Sequence, residues 1–131
     1  MIRKLLLILF LPFCSNAQEF IAYYNPNCRC CLSYFSKLEK DGIKVKRISV
    51  SINELNKIKN QFNIPSHLRS CHTIIYNGKF IEGHVPIDAI RKLMNEKDII
   101  GIASPHSTKS GLGDYESNYF ILRANGNKVK K

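Results

Sequence analysis

The sequence predicts an α/β domain built on one mixed four-stranded sheet with helices on its faces. Three observations predict it. Strand-like and helix-like segments follow one another in the order β-α-β-α-β-β-α. The first two strands are separated by a helix, so a crossover connection makes them parallel. The last two are joined by Asn77-Gly78, a two-residue turn that demands a hairpin. A chain of 131 residues with an apolar share of 44% has material for one small core.

"EFIAYY", Glu19 to Tyr24, is aromatic and β-branched and reads as the first strand. "NPN" follows as a turn. In "CLSYFSKLEKDG" the residues Leu32, Phe35 and Leu38 recur at helical spacing, and Gly42 is a natural stop. "IKVKRISV", Ile43 to Val50, is the second strand. Ser51 or Asn53 caps a second helix whose apolar stripe is Ile52, Leu55, Ile58 and Phe62. "NIPSHLRS" is a loop, "CHTIIY" the third strand and "KFIEGHV" its antiparallel partner. Pro86 suits a helix start, and Ile87, Ile90, Leu93 and Met94 give that last helix its buried face. After Lys97 the pattern fades into a long Gly- and Ser-rich loop, with "YFILRANGNK" as a candidate edge strand.

The first residues read as an address. "MIRK" is basic, "LLLILFLPF" is apolar over nine residues, and "SNA" offers small residues for cleavage. Nine apolar residues are far short of the ~20 that span a membrane. Residues 1–17 are therefore expected to be a signal peptide, with residues 18–97 as the metal-binding domain and 98–131 as a loop-rich extension. No transmembrane helix is expected in the mature chain. A lipid anchor at Cys14 is disfavoured, because bulky Phe13 precedes it where such sites favour small residues. Export implies a periplasmic or extracellular, oxidising compartment. The formal charge is +10; removing residues 1–17 takes away Arg3 and Lys4 and no acid, leaving +8. Export and the scattered distribution of that charge argue against nucleic acid as the partner.

The chemistry lies in "NCRCCL". Cys28, Cys30 and Cys31 fall within four positions, too close to staple a fold, since a disulfide gains with the loop it closes. They sit on the turn into the first helix, where unpaired N–H groups and the helix dipole favour thiolate, and Arg29 adds positive charge. A lowered thiol pKa is expected. A redox dithiol needs two sulfurs and makes Cys30 surplus; a soft metal ion profits from every thiolate. Cys71 and His72 open the third strand. Cys71 reads as a ligand or as a small core thiol, His72 as a ligand or as a hydrogen-bonded strand-end histidine. His84 ends the hairpin's return strand and is expected near His72, as ligand, supporting group or structural residue. Glu82 reads as solvent-facing, and His67 and His106 as ordinary exposed histidines.

The element order resembles the thioredoxin fold, which places its reactive CxxC where the first strand hands over to the first helix. Thioredoxins carry a cis-proline just ahead of the third strand; here that stretch reads Cys71-His72-Thr73. "CRCC", "SCHT" and "EGHVP" together resemble a more specific family. It is the bacterial copper-associated, thioredoxin-like family long known as a domain of unknown function, which includes the periplasmic CopG-type copper-resistance proteins. The resemblance runs from about Phe20 to Gly113. It implies a copper site built from Cys28, Cys30, Cys31 and Cys71, with His72 and His84 as the matching histidines. The chain departs from the family's pattern in one respect. The segment after the last helix carries no methionine; Ser107 and Asp114 stand where the family leads one to expect it, and His106 is a candidate partial substitute.

The expected function is a periplasmic copper-binding protein that sequesters or transfers Cu(I), more than one ion being compatible with bridging sulfurs, in copper resistance or homeostasis. Other periplasmic copper-handling proteins are the expected partners. The rivals are a thiol–disulfide oxidoreductase using the Cys28/Cys31 pair and a zinc module.

Overall fold

A computed structural model of the protein describes residues 19–106 and 111–126, and the backbone of residues 128–130. The expected signal peptide, Cys14 and Ser107 lie outside the described residues. The chain runs β1 (Phe20–Tyr24), α1 (Arg29–Lys40), β2 (Val45–Ser49), α2 (Ile52–Gln61), a one-turn 3-10 helix (Ser66–Leu68), β3 (His72–Tyr76), β4 (Lys79–Glu82), α3 (Ile87–Asn95), β5 (Ile99–Ala103), β6 (Phe120–Arg123) and β7 (Lys128–Lys130). Local chemistry explains the boundaries. Ser51 and Glu54 form a reciprocal capping box at the start of α2. Asn77 and Gly78 both take positive φ, 51° and 78°, as the tight turn between β3 and β4 requires.

The sheet is mixed but larger than the sequence predicts: seven strands in the order β2-β1-β3-β4-β5-β6-β7, not four. β1 runs parallel to β2 and antiparallel to β3, which pairs antiparallel with β4. β5 then joins β4 in parallel, and β6 pairs antiparallel with β5. The reading of residues 98–103 as loop fails because the downstream Gly- and Ser-rich stretch outweighs a short strand. Ile99, Ile102 and Ala103 are buried, and the edge of β4 offers the N–H and C=O partners that β5 needs.

The core gathers Tyr34, Phe35 and Leu38 of α1, Ile74 and Ile81 of the central strands, and Ile90 and Leu93 of α3. Two helix faces differ from expectation. Met94 is exposed, and Ala89 takes the core position on α3. On α2 the stripe is broken: Ile52 is 63% exposed, and the buried residues are Leu55 and Lys59. Lys59 turns inward because a carboxylate waits there, as described below. Among the described residues no helix is long and apolar enough to cross a membrane.

Candidate metal centre

The turn that carries the cysteines is held by its asparagines. Cys28 N–H donates to the Asn25 carbonyl at 3.0 Å, and Asn27 N–H to Asn25 Oδ1 at 3.1 Å. Asn25 Nδ2 reaches the Val50 carbonyl at 3.3 Å, tying the turn to the end of β2. Cys28 thereby becomes the residue that precedes α1, and Cys30 and Cys31 fall in the helix's first turn. Cys28 and Cys31 are joined as a disulfide, with Cα atoms 5.4 Å apart. Cys28 and Cys30 sulfurs lie 3.4 Å apart. All three sulfurs fall within 4.8 Å of one another, a group able to hold a metal ion.

Cys71 stands at the mouth of the same site. It is exposed rather than a core thiol, and it and Cys28 line one cleft of about 380 Å³ with Asn25, Asn27, Leu55 and Lys59. Burial, and then the charge of Cys71 beside it, push the Cys30 thiol up from its ordinary value. This reverses the expected lowering. The backbone N–H groups of Cys30 and Cys31 do pull downward, but they are outweighed. Loading such a thiol therefore means displacing its proton.

His72 is fully buried, and its two ring nitrogens face different partners. Nε2 lies 3.0 Å from the Gly83 carbonyl, and Nδ1 lies 3.3 Å from the Cys31 sulfur. A carbonyl oxygen only accepts, so the ring proton sits on Nε2 and the Nδ1 lone pair points at sulfur. Burial first, then the neighbouring His84 and Lys59, hold the imidazole well below its usual pKa, in the neutral form that binds metal.

His84 is brought near His72, with ring centroids 5.6 Å apart, but it does not join the sulfur group. Its Nδ1 lies 3.2 Å from the Asp114 carbonyl, and its buried Nε2 has no partner among the described residues. Tyr34 stacks on both rings, 4.6 Å from His84 and 5.2 Å from His72, and its hydroxyl donates to the Val85 carbonyl at 2.7 Å. Exposed His106 reaches the row from the C-terminal segment, its ring 6.2 Å from that of His84. His67 is exposed and lies in the 3-10 turn.

Sequence reasoning missed the layer beneath the thiols. Glu82 is fully buried, not solvent-facing, and pairs with buried Lys59. Lys59 Nζ also donates to Thr73 Oγ1 at 2.7 Å and to the His72 carbonyl at 3.2 Å. Glu82 accepts from Ser70 N–H at 2.7 Å and from Thr73 Oγ1 at 2.8 Å. Burial pushes Lys59 down and Glu82 up, each offset by the other's charge. The network clamps the backbone on either side of Cys71. Its one sequence signal was a lysine four residues after Leu55, on the buried face. Tyr34, one helical turn beyond Cys31, was missed too.

Residues 68–110 match the family model described as "Protein of unknown function, DUF411". Among solved structures, two forms named copper resistance protein CopG are similar to the chain. Form 1 has 30% identity and a TM-score of 0.74, with 88% of this chain and 95% of that chain covered. Form 2 has 30% identity and a TM-score of 0.73, with 88% and 96% covered. This chain belongs to the CopG-type copper-resistance family. Among curated proteins nothing matches it. The family model covers β3, the hairpin, α3 and β5, and so includes Cys71, His72 and His84 but stops short of the CxCC turn. CopG likeness over nearly the whole chain brings that turn in as well. Chemically, the set offers soft sulfur ligands on a solvent-facing turn and one neutral imidazole aimed at them from the core.

Proposed function

We propose that the protein is a periplasmic copper-binding protein that sequesters Cu(I) or hands it on, through Cys28, Cys30, Cys31 and Cys71 with His72 and His84 at their flank. The observation that carries this reading is the tautomer of His72. The Gly83 carbonyl holds its proton away, so a second kind of ligand atom, an imidazole lone pair, faces Cys31, one of the three clustered sulfurs. Membership of a family whose solved forms are named for copper resistance supports copper as the ion. Thiolate ligands select Cu(I), and bridging sulfurs suit more than one ion.

The thioredoxin-like reading is supported by the inner sheet, β2-β1-β3-β4, with the reactive turn between β1 and α1. On this reading the mature chain begins near Gln18 after export, residues 18–97 carry the metal centre, and residues 98–131 bring His106 beside it. Other periplasmic copper-handling proteins are the partners, docking where Cys28 and Cys71 open to solvent. A dithiol donor reduces the Cys28–Cys31 bond by exchange, giving two thiols here and a disulfide in the donor, and Cu(I) would then displace protons from the sulfurs it binds.

The Cys28–Cys31 disulfide favours one second reading, a thiol–disulfide oxidoreductase with Cys28 as nucleophile and Cys31 as resolving thiol. One experiment separates the two. The mature chain is reduced anaerobically, titrated with Cu(I) and Zn(II), challenged with a strong chelator, and assayed for disulfide reductase turnover. Retained copper, reduced in Cys30→Ser, is the expected result. Rapid turnover with no retained copper overturns the copper reading, and preferential retention of zinc points to a zinc module instead.

A further inference from the structure

We propose that Tyr115 is a surface electron donor to the sulfur site, connected to it through Tyr34 and His72, and that it spares the ligands when peroxide meets bound copper. The inference deepens the copper reading and rests on it for the identity of the ion. The first observation is a continuous run of rings. The Cys31 sulfur lies 3.3 Å from His72 Nδ1. The His72 ring stacks on Tyr34 with centroids 5.2 Å apart, and Tyr34 meets Tyr115 edge to face at 6.0 Å. Both separations are those of rings in contact. His72 and Tyr34 are fully buried and Tyr115 is partly exposed, so the run leads from the inner flank of the sulfurs to the surface.

The second observation is where a proton goes. A phenol that loses an electron becomes a strong acid, so its oxidation is favoured where a base takes the proton. Tyr34 lacks one: its hydroxyl donates to the Val85 carbonyl at 2.7 Å, and a charge left on that buried ring is costly. Tyr115 donates to the Asp41 carboxylate at 2.7 Å. Burial, and then that hydrogen bond, hold the Tyr115 hydroxyl above its usual pKa, so the resting protein keeps the proton. The Lys37 ammonium, 5.1 Å from the centre of the Tyr115 ring, opposes a ring cation, so electron and proton leave together. A hole entering at His72 therefore passes Tyr34 and comes to rest on Tyr115 as a neutral radical. A second run, from His72 through Phe35 to Tyr24, is broken at Phe35, whose ring has no hydroxyl and resists oxidation. Hydrogen peroxide at the loaded site takes two electrons and leaves as two hydroxide ions. Cu(I) gives one and becomes Cu(II). Tyr115 gives the other, its proton passes to Asp41, and the radical stands at the surface instead of on a ligand.

The test reads the relay with and without copper. In the mature Cys30→Ser chain, with the Cys28–Cys31 disulfide intact, Cys71 is the single free thiol and takes a ruthenium photo-oxidant. A light flash with a soluble quencher then oxidises the ruthenium centre. The expected result is a tyrosyl radical in transient absorption, lost in Tyr115→Phe, slower to form in Asp41→Asn, and unchanged in Tyr24→Phe. Asp41→Asn keeps the tyrosine and removes the proton acceptor, so a slower rise is not what a merely structural partner gives. No tyrosyl radical, or the same signal in Tyr115→Phe, overturns the proposal. In the second arm the Cu(I)-loaded protein meets hydrogen peroxide. Electron paramagnetic resonance is expected to show a tyrosyl signal, and peptide mass spectrometry to place oxidation on Tyr115. Tyr115→Phe is expected to be oxidised at His72 and the cysteines instead and to release more copper. Equal ligand damage in the two proteins also overturns the proposal. The flash arm needs no copper, so the relay and the copper reading fail separately.

Discussion

Two regions meet at the start of β3 and are built on opposite principles. Above Cys71 lies the sulfur turn, partly exposed, where Cys28 and Cys31 close a disulfide and the Cys30 sulfur lies against that of Cys28. Below it lies the Lys59–Glu82 pair, fully buried, with Thr73 and the Ser70 backbone as further partners. The upper region is chemically changeable and is rooted in the core through Cys31. The lower one does no ligand chemistry and holds still the backbone from which Cys71 and His72 project. A soft-metal site on a small domain gains from this division, because the sulfurs can change state while the strand beneath them does not.

The sharpest way to break the contrast is Glu82→Ala. It strands a buried ammonium, and a loss of about 3–5 kcal/mol in unfolding free energy is expected from urea denaturation. Pairing it with Lys59→Met is expected to restore part of that loss, since no charge is then left uncompensated. A Glu82→Ala protein as stable as the wild type refutes the clamp. Next in size is Tyr34→Phe, which leaves the buried Val85 carbonyl without its 2.7 Å donor and is expected to cost about 1–3 kcal/mol by the same assay.

The pH response comes third. Burial holds His72 and His84 below the ordinary histidine value of 6.5. Groups so depressed contribute stability that is present above 6.5 and lost as pH falls below it, since the unfolded chain binds the protons first. Glu82, raised by burial, acts in the opposite sense, one carboxyl against two imidazoles. The metal-free protein is therefore expected to lose stability between pH 7 and pH 5.5, by at most about 1.4 kcal/mol per pH unit for each proton taken up. Ring signals of both histidines should titrate below the ordinary histidine value by NMR. Smallest in stability is Cys30→Ser, expected to fall within about 0.5 kcal/mol of the wild type. Its effect is read instead as lost Cu(I) in metal analysis after a chelator challenge, and this divergence of two readouts is what the contrast demands.

The element order was legible through α3 because each step has a local cause: alternation in β1 and β2, Ser51 at a cap, Asn77-Gly78 at a hairpin. The cysteine turn was legible for the same reason, as was the approach of His84 to His72 across a hairpin. What escaped depends on partners far along the chain. Lys59 reads as a solvated lysine until the hairpin delivers Glu82, 23 residues later, against it. Lys59 lies seven residues after Ile52 on the same helix face, so the core side of α2 carries a lysine while Ile52, at the helix's first position, stays exposed at the rim of the cleft. β5 escaped because its partner is an edge that exists only after β3 and β4 have paired. The thiol shift was misread because the helix terminus is local, whereas the opposing burial and Cys71 are not.

Gly83 concentrates much of this in a single position. Its φ is +83°, and a Cβ there would collide with the Ser104 carbonyl. Its own carbonyl sets the His72 tautomer, and its backbone angle aims His84. In a library scoring every substitution for copper tolerance, this ligand-free position should be as intolerant as the cysteines. Mutational sensitivity here marks where ligand geometry is set as much as where ligands stand.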